Sequence, residues 1–176
     1  MNVANRNLVL IGFMGTGKTT VGRACATQLG YTFCDSDHVI ETQAGCSIAE
    51  FFAREGEARF RELEREVIAN LAATPGLVIA TGGGVVLDPN NVVVLRENGH
   101  LILLTATKEV ILRRVGNPNS RPLLANASDP RAHIEALLAQ RLPHYRNAAH
   151  CQVDTSGRHV RDIVKEIVML HVLTHA

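Results

Sequence analysis

Tryptophan is absent from this 176-residue chain and aromatic residues make up only 4% of it, so it has no set of stacking platforms for the bases of a nucleic-acid strand. The formal net charge of +1 excludes a broad basic surface tracking a phosphate backbone, and no nucleic-acid partner is expected. Long apolar runs are missing too. None approaches the length that crosses a bilayer, and Met1 to Asn7 has no apolar centre of a secretory signal, so the expectation is a cytoplasmic protein without a membrane partner. Cysteine is scarce. Cys25, Cys34, Cys46 and Cys151 form no C-x-x-C pair and no zinc spacing, and read as reduced thiols. Lysine is scarcer still: Lys18, Lys108 and Lys165 are the three lysines among eighteen basic residues, the other fifteen being arginine. That skew fits recognition of planar or tetrahedral anions by a rigid guanidinium, and it equally fits a GC-rich genome. His171 and His175 stand four apart near the C-terminus, a spacing that reads as a frayed tail before it reads as a metal pair.

What is present is 46% hydrophobic residues in a length suited to one domain, expected to span 1–176. Strand-like apolar runs at Asn7–Ile11, Thr32–Asp35, Val78–Ala80, His100–Leu104 and Cys151–Asp154 alternate with amphipathic stretches. This is the pattern of an α/β fold whose parallel five-stranded sheet is covered by helices on both faces. Ser47 to Ala73 is charged and helical in pattern, with Gly56 marking a break, and Phe60, Leu63, Val67 and Leu71 repeat at core spacing. Asp129-Pro130 has the chemistry of a helix start, and the apolar face that follows runs as far as Pro143. Before it, residues 116–128 are rich in turn formers and long for a connection, and read as a mobile lid or as a plain surface loop.

Gly12-Phe13-Met14-Gly15-Thr16-Gly17-Lys18-Thr19 directly follows the first apolar run and opens a helix expected over Lys18 to Leu29. It matches the P-loop, and the strand before and helix after are the context that this motif requires. Its glycines let the backbone N–H groups converge on phosphate oxygens, and the helix N-terminus adds partial positive charge. Gly12, Gly15, Thr16, Gly17, Lys18, Thr19 and Thr20 are therefore the candidate nucleotide contacts, with Lys18 on the outer phosphates and the Thr19 hydroxyl on magnesium. Asp35 and Asp37 flank Ser36 at the end of the second strand, where side chains two apart share a face. Ligands of open α/β sheets bind off such strand ends, so both carboxylates are expected to face the phosphates. Asp35 is assigned to the magnesium shell, and Asp37, farther out, to orienting or deprotonating an attacking hydroxyl. Taken alone, such a pair is as well explained by capping and turns. Thr81-Gly82-Gly83-Gly84 ends the third strand, either to bring backbone amides against a ligand or as a flexible turn.

The P-loop, Asp35-Ser36-Asp37, Gly56-Glu57-x-x-Phe60-Arg61-x-Leu63-Glu64, Thr81-Gly82-Gly83-Gly84, Arg121-Pro122-Leu123-Leu124 and Arg141-x-Pro143-x-Tyr145, in this order, resemble the shikimate kinase family. The resemblance spans about Asn7 to Asp154. It implies a P-loop kinase fold with a mobile lid, and a monomer that uses ATP and Mg2+ to phosphorylate the 3-hydroxyl of shikimate in chorismate and aromatic amino-acid biosynthesis. It further implies that Asp37 contacts that hydroxyl, that Arg61 and Arg141 with the Gly82-Gly83 backbone hold shikimate, and that Arg121 in the lid neutralises charge on the transferring phosphoryl. A guanidinium suits this task because it gives a carboxylate two parallel hydrogen bonds. Glu64 is placed to orient Arg61. By the same resemblance Arg114 stacks on adenine, a part that Arg113 is also placed to play, and Arg158 is a further adenine contact. On its own, Arg61 beside Glu57, Glu62, Glu64 and Arg65 reads as a solvated ion pair on a helix. A gluconate-type carbohydrate kinase and a nucleotide-binding regulatory module without catalysis are the alternatives. The ordered motifs speak against the first, and the presence of Asp37 and Arg121 against the second.

Overall fold

The structure, a computed structural model, describes residues 6–115 and 129–174. The lid expected over 116–128, Arg121 within it, and His175 lie outside the described residues. The chain runs β1 (Asn7–Ile11), α1 (Lys18–Leu29), β2 (Thr32–Asp35), α2 (Ser36–Ala44), α3 (Ile48–Ala73), β3 (Leu77–Ala80), α4 (Pro89–Asn98), β4 (Gly99–Thr105), α5 (Lys108–Val115), α6 (Pro130–Ala148), β5 (Cys151–Asp154) and α7 (Val160–Leu173). All four strand pairings are parallel, in the order β2-β3-β1-β4-β5, so every C-terminal strand end opens on the same edge.

Strand alternation divides the core into two layers. Val9, Ile11, Ile79, Leu101 and Leu103 point to the face covered by α3, α4, α5 and α6, where Phe60, Val67, Ile111 and Tyr145 meet them. Leu8, Leu10, Val78, Ile102 and Leu104 point to the other face, against Val21 and Cys25 of α1 and Ile163 and Ile167 of α7. Strands buried on both faces read as continuous apolar runs, which is why β1 and β4 were legible as such. Each fully buried Leu or Ile contributes about 1.5–3 kcal/mol. β1 is also pinned at its start: the buried Asn7 side chain donates to the Thr74 carbonyl at 2.8 Å and accepts from the Leu77 amide at 2.8 Å, tying the end of α3 to the start of β3.

Three local expectations are corrected. Asp35 and Asp37 do not share a strand face. Asp35 is the N-cap of α2, accepting the Asp37 amide at 3.1 Å, and Asp37 stands in that helix's first turn, because an Asp at a strand end is also a good cap. The helix that starts at Asp129 does not stop near Pro143 but continues to Ala148. Proline removes one helical hydrogen bond, while Tyr145 and Ala148 beyond it are buried and hold the last turns in place. His171 is no frayed tail: it lies in α7, 2% exposed, stacked on His100 with ring centroids 5.8 Å apart. Gly56 does break α3 as expected, with φ 80° and ψ 173°.

Candidate active site

Three positive-φ glycines shape the loop between β1 and α1: Gly12 at 142°, Gly15 at 78° and Gly17 at 96°. At Gly12 a Cβ would meet the Leu104 carbonyl, so β4 runs against the loop where only glycine fits. Lys18 Nζ donates to the carbonyls of Gly12 at 2.7 Å and Phe13 at 3.0 Å, which folds the ammonium over the loop. The Thr16 hydroxyl donates back to Phe13 O at 2.8 Å and braces the loop. Thr155, missed by sequence reasoning, braces the same loop from behind. Its buried hydroxyl sits 3.0 Å from the carbonyls of Thr16 and Thr105 and accepts from Arg114 at 3.0 Å. No motif surrounds Thr155, and only the meeting of the β4 and β5 ends reveals it.

A cleft of about 620 Å³ opens over the loop. Gly15, Thr16, Gly17, Lys18, Thr19 and Thr20 form its floor, Asp35 and Asp37 one wall, and Arg114 and Arg158 the other. Arg114 rather than Arg113 faces it, clamped to the Thr155 carbonyl at 3.1 Å and the Gly15 carbonyl at 3.3 Å. Arg158 is held at the rim by Glu166 at 2.6 Å. The Thr19 hydroxyl donates to Asp35 Oδ2 at 2.9 Å, so the two candidate magnesium ligands are already adjacent. One carboxylate and one hydroxyl suit a small hard cation that keeps most of its waters and takes phosphate oxygens. The residues present fit magnesium bound with a nucleotide.

Asp37 links this cleft to a second group of residues around the triple glycine. A Cβ on Gly82 would collide with the Asp37 carboxylate, so the absent side chain is the space in which that carboxylate sits. Burial and the neighbouring Asp35 push the Asp37 carboxyl up to about 6, against the pull of Lys18. The Gly82 amide is not offered to a ligand as expected: it donates to the buried Ser36 hydroxyl at 2.9 Å, which fastens α2 to the glycine run. Ser36 was visible between the two aspartates, but its role depends on β2 and β3 being neighbours.

Arg61 and Arg141 reach the same glycines from α3 and α6. The Arg61 guanidinium lies 2.8 Å from where a Gly84 Cβ would stand, and that of Arg141 lies 3.6 Å from the corresponding point at Gly83. Glu64, 2% exposed, holds Arg61 at 2.7 Å, and Glu57 adds a looser contact at 3.4 Å. Burial works against the Arg61 cation, yet Glu64 and Glu57 outweigh it and raise its pKa; burial also raises the pKa of Glu64. The ion pair read from the sequence exists, but it is half-buried and aimed at the glycines. Arg141 is 6% exposed, and among the described residues no carboxylate stands within ion-pair distance of it.

A parallel sheet with a strand, P-loop and helix at its centre, a paired Thr and Asp for a metal, and a buried carboxylate beside two guanidiniums define a P-loop phosphotransferase acting on an anionic acceptor. The sequence profile of the family described as Shikimate kinase matches residues 14–171. The chain is 51% identical over 162 residues to a shikimate kinase of Geobacter sulfurreducens, covering 92% of this chain and 88% of that one. It is 46% identical over 167 residues to one of Caldanaerobacter subterraneus, covering 95% and 96%. The solved shikimate kinase from Acinetobacter baumannii in complex with shikimate superposes with a TM-score of 0.90 at 39% identity, covering 96% of this chain and 93% of that one. The chain belongs to the shikimate kinase family.

Proposed function

We infer that this protein transfers the γ-phosphoryl group of ATP to the 3-hydroxyl of shikimate, releasing ADP and shikimate 3-phosphate for chorismate and aromatic amino-acid synthesis. The observation that carries the reading is Arg141: a nearly buried cation with no carboxylate within ion-pair distance among the described residues, Glu64 acting on it only through space, beside Arg61 and 3.4 Å from the Gly83 carbonyl. A buried guanidinium left in this state is a receptor for a planar anion, and shikimate brings one carboxylate. Arg61 completes the grip, with Glu64 fixing its direction.

With the carboxylate held there, the ring hydroxyl falls to Asp37, at the boundary between the glycine run and the nucleotide cleft. A carboxylate with a pKa of about 6 is ionised at neutral pH and still basic enough to accept the hydroxyl proton. The glycines of the P-loop, Lys18 and the first turn of α1, including Thr20, hold the phosphates, while Arg114 and Arg158 face the base. Thr19 and Asp35 hold magnesium, which neutralises phosphate charge. Arg121, outside the described residues, takes the charge-neutralising part on the strength of its motif. Transfer is direct and in line, with no covalent enzyme intermediate, since phosphoryl transfer needs positioning and charge more than nucleophilicity.

The enzyme is proposed to act as a monomer on a small-molecule substrate. One domain spanning 1–176 agrees with the single sheet. No described helix is long and apolar enough to cross a membrane, and the four cysteines are free, which supports a cytoplasmic enzyme fed by cellular ATP. The test is coupled ADP release with ATP and magnesium in three parallel reactions containing shikimate, gluconate or no acceptor. ADP release with shikimate alone is expected. Silence in all three with nucleotide binding intact would replace this reading by a non-catalytic nucleotide-binding module.

A further inference from the structure

Tyr145 ends the motif that begins with Arg141, and no part of the chemistry above uses it. The two residues are one helical turn apart on α6, so both side chains leave the same face. The tyrosine is 1% exposed. Its hydroxyl donates to the Gly83 carbonyl at 2.6 Å, a short bond, while Arg141 Nη1 reaches that carbonyl only at 3.4 Å. Arg141 also lies close enough to the phenol to pull its pKa down, against the push of burial. Guanidinium and phenol thus converge on one carbonyl, and the phenol, which gives it its one proton, is much the closer donor.

A buried carbonyl must have a donor, and a strongly charged one nearby will supply it if nothing else does. We propose that Tyr145 is a positioning residue for the acceptor site, whose hydroxyl satisfies the Gly83 carbonyl and thereby keeps the Arg141 fork free for the carboxylate of the substrate. Without that hydroxyl Arg141 is drawn onto Gly83, and the incoming carboxylate has to compete with a backbone carbonyl for the same N–H groups. Burial pushes the tyrosine pKa up to about 12, so the phenol keeps its proton, and its donor role, throughout the neutral range.

The inference rests on the assignment of Arg141 to the acceptor carboxylate, and the experiment separates the two. Steady-state constants for shikimate and for ATP are measured for the wild type, Tyr145→Phe, Arg141→Lys and the double variant. Melting temperature is recorded alongside; the Phe variant keeps the ring and hence the packing. Expected for Tyr145→Phe is a roughly tenfold rise in the KM for shikimate, with kcat and the KM for ATP within about twofold, the loss of one hydrogen bond to a charged network. In the Arg141→Lys background the same change should have little further effect, because the fork it serves is gone. A rise in both KM values together, a fall in melting temperature with both KM values unchanged, or full additivity in the double variant would overturn the positioning role. Arg141→Lys with an unchanged KM for shikimate would overturn the acceptor-site assignment, and the role of Tyr145 with it.

Discussion

At the scale of single residues the site is built at the expense of stability, and Asp37 shows it most directly. Its folded pKa of about 6 lies above the ordinary 3.8, so the folded protein binds this proton more tightly than the unfolded chain. Between about pH 4 and pH 6 stability therefore falls as pH rises, and above that window the buried charge costs on the order of 1–3 kcal/mol. Asp37→Asn is expected to melt roughly 2–12 °C higher than the wild type at pH 7.5, by the usual conversion for a chain of this size, and the gap should close near pH 4. Calorimetry at the two pH values checks it. The same variant should lose on the order of a hundredfold or more in shikimate phosphorylation, as expected for removal of a general base. In the wild type, kcat/KM for shikimate should decline with unit slope below about pH 6, the range in which the free enzyme's base becomes protonated. A replacement that stabilises the fold and disables the reaction marks a functional group rather than a packing one.

At the scale of elements, most of the fold was legible because its signals are local. Gly30 ends α1 in a left-handed turn, Ser47 and Glu50 form a capping box at α3, and Asp129 with Pro130 starts α6. The misreadings arose where one residue type serves two local structures. Asp35 both ends β2 and caps α2, which carries Asp37 into a helix rather than along the strand, and Pro143 stays inside a helix that buried residues beyond it sustain. The candidate site was legible to the level of its charged residues, since the P-loop and the arginines lie in recognisable strings. Ser36, Tyr145 and Thr155 were not readable as site residues, because each acts on a backbone group that only the tertiary fold brings near. Gly56 offers a test at this scale. Its φ of 80° with ψ of 173° is a region that only glycine occupies freely, yet a Cβ there would meet open space. Gly56→Ala is expected to destabilise the protein by about 1–3 kcal/mol without any steric clash, and denaturant unfolding reads it. The kink lies about a turn and a half before Arg61, so the KM for shikimate should rise as well.

At the scale of the whole molecule, the cleft joins elements from both faces of the sheet: α1 and α7 contribute from one face, α5 from the other through Arg114, and α2 from the β2 edge. A ligand that fills it binds the folded state alone and should stabilise the protein by mass action. Magnesium-ADP at about a hundred times its dissociation constant is worth about 2.7 kcal/mol, which corresponds to a rise in melting temperature of roughly 5–11 °C. Addition of a magnesium chelator should remove most of that gain if Thr19 and Asp35 hold the metal with the nucleotide. Thermal-shift measurements with and without chelator distinguish this from a nucleotide held by the loop alone.

The contact between Gly82 and Asp37 also bears on descent. The carboxylate occupies the volume that a side chain at position 82 would need, so the two positions are not free to vary one at a time. Any residue larger than glycine at 82 evicts the carboxylate, and a longer acid at 37 finds the glycine backbone in its path. Drift through single substitutions is closed at this pair while the reaction is under selection, however permissive the surrounding surface is.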